Sequence, residues 1–203
     1  MLIEDGVLKI LTDPGSFTVE AQSKVMGVDF VVITHEHQDH LHLESLKEIL
    51  KNNPQAKVVT NSAVKNIVGK ENIEAELVGD GQNFASNGFL IEGMGSKHAI
   101  IYEDYGQVEN TGYFFNNQFF YPGDSFYLPK KHPEILALPT AGPWMKLSEA
   151  IDYGKQLKPK YAFPVHDGAI NQFGSFVHHI MDTFLKPAGI AYQLPTLSEP
   201  MEF

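Results

Sequence analysis

Between Thr34 and Leu41 the chain reads THEHQDHL, placing His35, His37, Asp39 and His40 within a single short stretch. Imidazole suits zinc, iron and manganese, and a carboxylate adds hard-ligand character and charge that compensates a cation. The stretch follows Val31-Val32-Ile33, a branched apolar run of the kind found in a buried strand. The donors therefore sit in the loop at the strand's C-terminal end, the rim on which open α/β sheets build their sites. His35 and His37 alternate by two and can point the same way in an extended segment. Asp39 and His40 follow as the chain turns, so that one pair could serve one ion and the other pair a second. These donors alone do not complete two sites. Further candidates each end a probable strand: His98 in GMGSKHAI, Asp124 in FFYPGDSF and His166 in YAFPVHDG.

Plainer readings exist for each group. A histidine-rich segment can be a solvated turn, but this one is internal and follows an apolar strand. His98 alone could be a hydrogen-bonded structural residue, and Asp124 a turn aspartate. His42, beside a predicted helix, His132, in a proline-flanked loop, and His178 and His179, on a predicted helix, read as structural. Trp144, the only tryptophan, stands in TAGPWM after a strand, as a pocket wall or a loop anchor.

The order THEHQDH, then a lone histidine after a Gly/Ser turn, then PGDS, then PVHDG, resembles the metallo-β-lactamase superfamily. LTDPG around Asp13 looks like a variant of that superfamily's early Asp-x-Gly element. Within the superfamily the sequence is most similar to the compact branch that includes L-ascorbate-6-phosphate lactonase. The resemblance implies an α/β fold, a four-layer αβ/βα sandwich of two mixed β-sheets with helices on the outer faces. It also implies a dinuclear centre in which His35, His37 and His98 hold one ion and Asp39, His40 and His166 the other, with Asp124 bridging. The expected ions are Zn2+, with Mn2+ or Fe2+ as alternatives. Asp39 and Asp124 would be catalytic together with a metal-bound hydroxide. Thr34, Asp13 and Ser125 would orient the ligands.

The implied reaction is hydrolysis of a small ester-like substrate: a lactone, phosphodiester or amide. Members that reduce oxygen or nitric oxide usually replace the second motif histidine with a carboxylate and carry a flavin domain, whereas this chain has His37. Glyoxalase II-like members append a helical substrate domain, and RNA-processing members need an extra domain or a basic exosite; neither pattern is found here. Two alternatives remain, a mononuclear iron redox or sulfur-chemistry enzyme on the same fold and a non-catalytic metal-binding relative. Relatives usually carry a further strand, often with a Gly-His or Gly-Asn element, ahead of the segment matching MLIEDGVLKILTDPG. This sequence starts almost within that segment, so that strand is either truncated or built differently, and one pocket wall is left open.

The elements that must position these residues follow from composition and periodicity. A length of 203 residues, 43% hydrophobic and 20% charged, fits a single globular domain spanning 1–203 with a sizeable core. The formal charge of −10 disfavours nucleic acid and anionic membrane as partners. The absence of cysteine removes disulfides and thiolate chemistry. No signal-peptide pattern opens the sequence and no apolar run is long enough to span a bilayer. A cytoplasmic address and a small-molecule substrate are the matching expectations, and the resemblance adds a homo-oligomer as a possibility, since compact relatives often assemble.

Strands are predicted at MLIE and VLKILT around an Asp5-Gly6 turn, then at VDFVVIT, AKVVTN, EAELV, GFLIEGMGS, AIIYED, TGYFFN, QFFYP, EILALP, KYAFPV and IAYQL. Asn116-Asn117 is a predicted hairpin turn. Helices are predicted at LESLKEILKNN, from Ser62 as N-cap through AVKNIVGK, at KLSEAIDYGKQL, and over INQFGSFVHHIMDTFLKPAG.

Overall fold

Period-two alternation along the strands decides the architecture. In the computed structural model, which describes all residues except 7, 169, 171–173, 197 and 198, strand β3 (Phe30–Ile33) is wholly buried. Phe30 and Val32 face one core, whereas Val31 and Ile33 face another. The strand therefore has apolar neighbours on both faces, the signature of a sheet covered on both sides.

β3 belongs to a five-stranded sheet ordered β1 (Leu2–Asp5), β2 (Leu8–Thr12), β3, β4 (Lys57–Thr60), β5 (Ala75–Leu77). The pair β1–β2 is antiparallel and the other pairs are parallel. The second sheet has seven strands: β12 (Ala191–Tyr192), β11 (Tyr161–Val165), β10 (Ile135–Pro139), β9 (Phe119–Tyr121), β8 (Gly112–Phe115), β7 (Phe89–Met94) and β6 (Asn83–Ser86). It is parallel from β12 to β9 and antiparallel from β9 to β6.

Between the sheets, Ile10, Phe30, Val32 and Val59 meet Phe89, Ile91, Tyr113, Phe115 and Phe163. Behind the first sheet, helices α2 (Leu43–Asn52) and α3 (Ser62–Lys70) set Leu46, Ile49, Val64 and Val68 against Leu11, Val31 and Ile33. Behind the second, α4 (Leu147–Leu157) and α5 (Ser175–Leu185) set Ala150, Leu157, Met181 and Leu185 against Phe114, Leu136 and Leu138. The layer order is thus helix, sheet, sheet, helix, the four-layer sandwich expected. A short α1 (Val19–Gln22) lies before β3. Among the described residues no helix is long and apolar enough to cross a membrane.

Several local expectations need correction. AIIYED forms no strand: residues 99–104 are loop with one isolated bridge, Tyr102 to Tyr105. Glu103 has φ 49° there, which interrupts any extended run, and the Ala99 amide donates instead to Asp124 O at 2.8 Å. The N-cap of α3 is Asn61, not Ser62. Asn61 Oδ1 accepts from the Val64 amide at 3.0 Å, while Ser62 Oγ donates to Glu109 Oε2 at 2.5 Å. Strand β6 was not anticipated, because Asn83–Ser86 has little apolar content. The last helix begins at Ser175 rather than near Ile170, and residues 171–173 of that expectation lie outside the described residues. The Asn116-Asn117 turn forms as expected, with both residues left-handed at φ 47° and 57°.

The polarity of the strands places the site. β7, β9, β10 and β11 run in one direction within their sheet, as do β2 and β3 in theirs. The chain leaves β3 for His35, β7 for His98, β9 for Asp124 and β11 for His166, always at a C-terminal end.

Leu138 is fully buried between its sheet and α4–α5, whereas Phe17 is 84% exposed. Leu138→Ala is expected to lower unfolding free energy by about 2–5 kcal/mol, and Phe17→Ala to change it by less than about 0.5 kcal/mol. Urea unfolding of both variants checks the contrast.

Candidate metal centre

The loop after β3 is shaped by the turn that follows β2. Gly15 packs so tightly against it that a Cβ there would lie 1.7 Å from Asp39 O. The Ser16 amide donates to Gln38 O at 2.8 Å and the His42 amide to Pro14 O at 3.1 Å. The Asp-Pro-Gly turn is therefore a brace for the histidine loop, and only glycine fits its third position. Gly123, at φ 63°, plays the same part before Asp124, since a Cβ would meet Asn110 Oδ1 at 2.4 Å and Thr34 Cβ at 2.8 Å.

All of the predicted donors converge. His35, His37 and His98 form one group, and Asp39, His40 and His166 another, with the ligand-capable atoms of each group within 4.8 Å of one another. Asp124 touches both. Its Oδ1 lies 3.2 Å from His40 Nε2, and its Oδ2 lies 3.2 Å from His166 Nε2 and 3.4 Å from His98 Nε2. Asp39 Oδ2 lies 3.3 Å from His166 Nε2 and 3.6 Å from His40 Nε2. His35 and His37 rings are 4.8 Å apart, and His37 and His98 rings 4.7 Å.

The other ring nitrogens are occupied, which fixes the tautomers. His98 Nδ1 lies 2.6 Å from Ala99 O and His166 Nδ1 lies 2.7 Å from Ala141 O. A carbonyl only accepts, so each Nδ1 carries its proton. His40 Nδ1 lies 2.6 Å from Asp13 Oδ2. His35 Nδ1 lies 3.0 Å from Thr34 Oγ1, whose own hydroxyl donates to Asp13 Oδ2 at 2.6 Å. With Nδ1–H turned outward on these four rings, the neutral imidazoles aim their Nε2 lone pairs inward, the arrangement that suits a metal ligand.

Asp13, at φ 44°, also accepts from the Thr34 amide at 2.8 Å and from Tyr121 Oη at 2.7 Å. Asp13 and Thr34 therefore hold the His40 and His35 rings. Ser125 does not: its Oγ accepts from the Tyr127 amide at 2.9 Å and shapes the turn after Asp124. Tyr121 and Asn110 were missed, the latter accepting from the Asp124 amide at 3.0 Å. A buried tyrosine hydroxyl in an apolar strand needs a partner, which is the one signal that could have found Tyr121. His42 occupies the N-cap position of α2, and His132 Nδ1 donates to Leu157 O at 2.7 Å; both are structural. His178 and His179 lie on α5, with His178 Nδ1 2.9 Å from Tyr192 Oη.

Does this pocket fit cations? His35 Nε2, His98 Nε2, His166 Nε2 and Asp124 Oδ1 are all buried without a hydrogen-bond partner. Leaving a buried polar atom unsatisfied costs roughly 1–3 kcal/mol, so four of them aimed at one place call for a ligand. Two atoms each bound to one zinc at about 2.0–2.1 Å are at most about 4.2 Å apart. Groups already within 4.8 Å need only slight closure.

The electrostatics agree. Burial, reinforced by His40, holds the His35 imidazole well below its ordinary value, and burial also lowers His37. Burial opposes the charged form of His40 and His166, but Asp13 and Asp124 overcome it at His40, and Asp124 and Asp39 at His166. Both rise to about 10. Burial likewise opposes the Asp124 carboxylate, yet contacts from His166, His40 and His98 hold its pKa far below the usual carboxylate range. Contact with the His166 imidazole lowers Asp39. Without cations, then, protons on His40 and His166 balance the carboxylates.

Comparison with known proteins now bears on the site. A family profile described as a beta-lactamase superfamily domain matches residues 1–166. Protein Rv0786c of Mycobacterium tuberculosis is 31% identical over 175 residues, covering 84% of this chain and 81% of the relative. The UPF0173 metal-dependent hydrolase MJ1163 of Methanocaldococcus jannaschii is 24% identical over 188 residues, covering 87% and 83%. Among solved structures, a protein from Parabacteroides distasonis named as a metal-dependent hydrolase superposes with a TM-score of 0.77 at 21% identity, covering 95% of this chain and 87% of that one.

Two outcomes follow for the purified protein. Because folding raises the pKa of His40 and His166 from 6.5 to about 10, their protonation stabilises the folded state fully below pH 6.5, and this is lost as pH rises towards 10. Melting of chelator-treated protein is expected to fall across that window, whereas cation affinity, which needs the protons gone, is expected to rise. Asp13→Asn removes the acceptor shared by three donors to Oδ2. It is expected to weaken cation binding by roughly 10- to 100-fold, measured by calorimetry.

Proposed function

This chain belongs to the beta-lactamase superfamily, and from that premise we propose that it is a hydrolase using two divalent cations to cleave a small ester-like substrate. The observation that carries the reading is Asp124, whose two oxygens contact imidazoles of both donor groups. His35, His37 and His98 would hold one cation and Asp39, His40 and His166 the other, with Asp124 shared. Zn2+ is the expected ion, and Mn2+ and Fe2+ accept the same donors. When bound, such a pair lowers the pKa of a shared water towards neutrality and stabilises the charge that develops on the attacked group.

The chain's own residues do the rest. Asp13, through His40 and Thr34, keeps the rings from rotating, and the carbonyls of Ala99 and Ala141 do so for His98 and His166. Asp39 is the more accessible carboxylate, its side chain 29% exposed against 5% for Asp124. It sits where it can accept a hydrogen bond from the attacking water. Its lowered pKa keeps it ionised at neutral pH and makes it a poor proton store. Its role is therefore to orient the nucleophile, and Asp124's is to hold the two donor groups in register.

Lactones, phosphodiesters and amides all fit this chemistry, and the likeness to the lactonase branch favours a lactone. A formal charge of −10 argues for a small molecule over nucleic acid. Protein loaded with Zn2+ or Mn2+, assayed against lactones, phosphodiesters and thioesters, is expected to turn over at least one class with two equivalents of metal bound. His37→Ala is expected to lower kcat/KM by at least about 100-fold, roughly 2.7 kcal/mol of barrier. A single equivalent of iron with no hydrolysis would favour the redox alternative instead.

A further inference from the structure

Trp144 is the only tryptophan of the chain and lies between β10 and α4 at 7% exposure. Its Nε1 donates to Asp124 Oδ2 at 2.8 Å. The ring meets His98 edge-on at 6.1 Å between centroids and His166 at 6.2 Å. This placement is held from two sides. Phe126 packs against the indole at 5.1 Å, and Gly142 makes room for it, since a Cβ there would stand 2.8 Å from Nε1.

The contact differs in kind from every other contact of the Asp124 carboxylate. The groups around it are imidazoles whose Nε2 atoms would turn to cations. An indole N–H is a donor only and cannot ligate a metal. Among the described residues it is the one side-chain contact of that carboxylate that bound cations would not compete for. It occupies one lone pair of Oδ2, leaving the other lone pair and both of those on Oδ1.

Resting on the two-cation reading above, we infer that Trp144 is a positioning residue: its N–H fixes rotation of the Asp124 carboxylate so that it stays shared between the two donor groups. Without the N–H, the carboxylate is free to swing and take a single cation with both oxygens. The second cation then loses its shared ligand, and the dinuclear centre becomes a mononuclear one. The indole contributes no step of the reaction; it acts through Asp124 alone.

The test is cation binding by the full-length, chelator-treated chain. Zn2+ titration followed by calorimetry and by tryptophan emission is expected to show two equivalents in the wild type, with emission changing because the sole indole touches the shared carboxylate. Trp144→Phe is expected to keep the tighter equivalent and to weaken the other by roughly 10- to 100-fold. Replacing Trp144 with 3-benzothienylalanine, which keeps the bicyclic shape but has sulfur in place of N–H, separates this role from packing. That protein is expected to melt as the wild type does, yet to show the same loss of the second equivalent. Should Trp144→Phe fail to fold, the analogue alone decides. An analogue protein that binds both equivalents as tightly as the wild type, or a wild type whose emission ignores saturation, overturns the inference. A wild type that binds fewer than two equivalents overturns the two-cation reading and this inference with it.

Discussion

One carboxylate ties the two halves of the site together. Asp13 accepts from the Thr34 amide and hydroxyl, from His40 Nδ1 and from Tyr121 Oη. Thr34 and His40 follow β3 of the first sheet, while Tyr121 ends β9 of the second. Asp13 itself follows β2 of the first sheet, so the Tyr121 hydrogen bond crosses between the sheets while the other three brace the histidine loop, all at distances of 2.6–2.8 Å. Charge-assisted hydrogen bonds of this kind are short and directional. They set the tautomer of His40 directly and that of His35 through Thr34, and they do so at a backbone position, φ 44°, that a non-glycine residue seldom adopts. Local strain of this sort persists only where surrounding contacts impose it, and here those contacts are the ones that aim the imidazoles.

The same economy runs through the rest of the site. Carbonyls of Ala99 and Ala141 take the outward protons of His98 and His166, so backbone that would otherwise need partners orients the imidazoles. Glycines at 15 and 123 let chain segments approach where any side chain would collide with Asp39 O or Asn110 Oδ1. The layered core beneath contributes rigidity: β3 is packed on both faces, between the inter-sheet core and α2–α3. A loop at the end of such a strand inherits its fixed position.

Much of this was legible in the sequence, for identifiable reasons. The branched apolar run Val31-Val32-Ile33, read as a buried strand, and the turn chemistry of Asn116-Asn117 report local physics, and both are seen in the structure. The cluster from His35 to His40 is unusual enough in composition to be read directly, and His98, Asp124 and His166 could be read from the ordered motif pattern. What escaped depends on tertiary context. AIIYED has the branched and aromatic residues of a strand but joins neither sheet. Asn61 outcompeted Ser62 as a cap because its amide also reaches Thr34 O at 2.9 Å. Ser125 looked like a ligand-orienting residue by proximity in sequence, yet its hydroxyl is taken by the Tyr127 amide. The contact between Trp144 and Asp124 spans two loops, and no local pattern encodes it.

On the proposal made above, the two donor groups flanking Asp124 hold a pair of neighbouring cations. Anomalous diffraction at the zinc edge from crystals of the Zn2+-loaded protein tests it most directly. The account predicts two peaks about 3.5–4 Å apart, one among His35, His37 and His98 and one among Asp39, His40 and His166, with Asp124 between them. A single peak, or zinc bound only elsewhere on the protein, would contradict it.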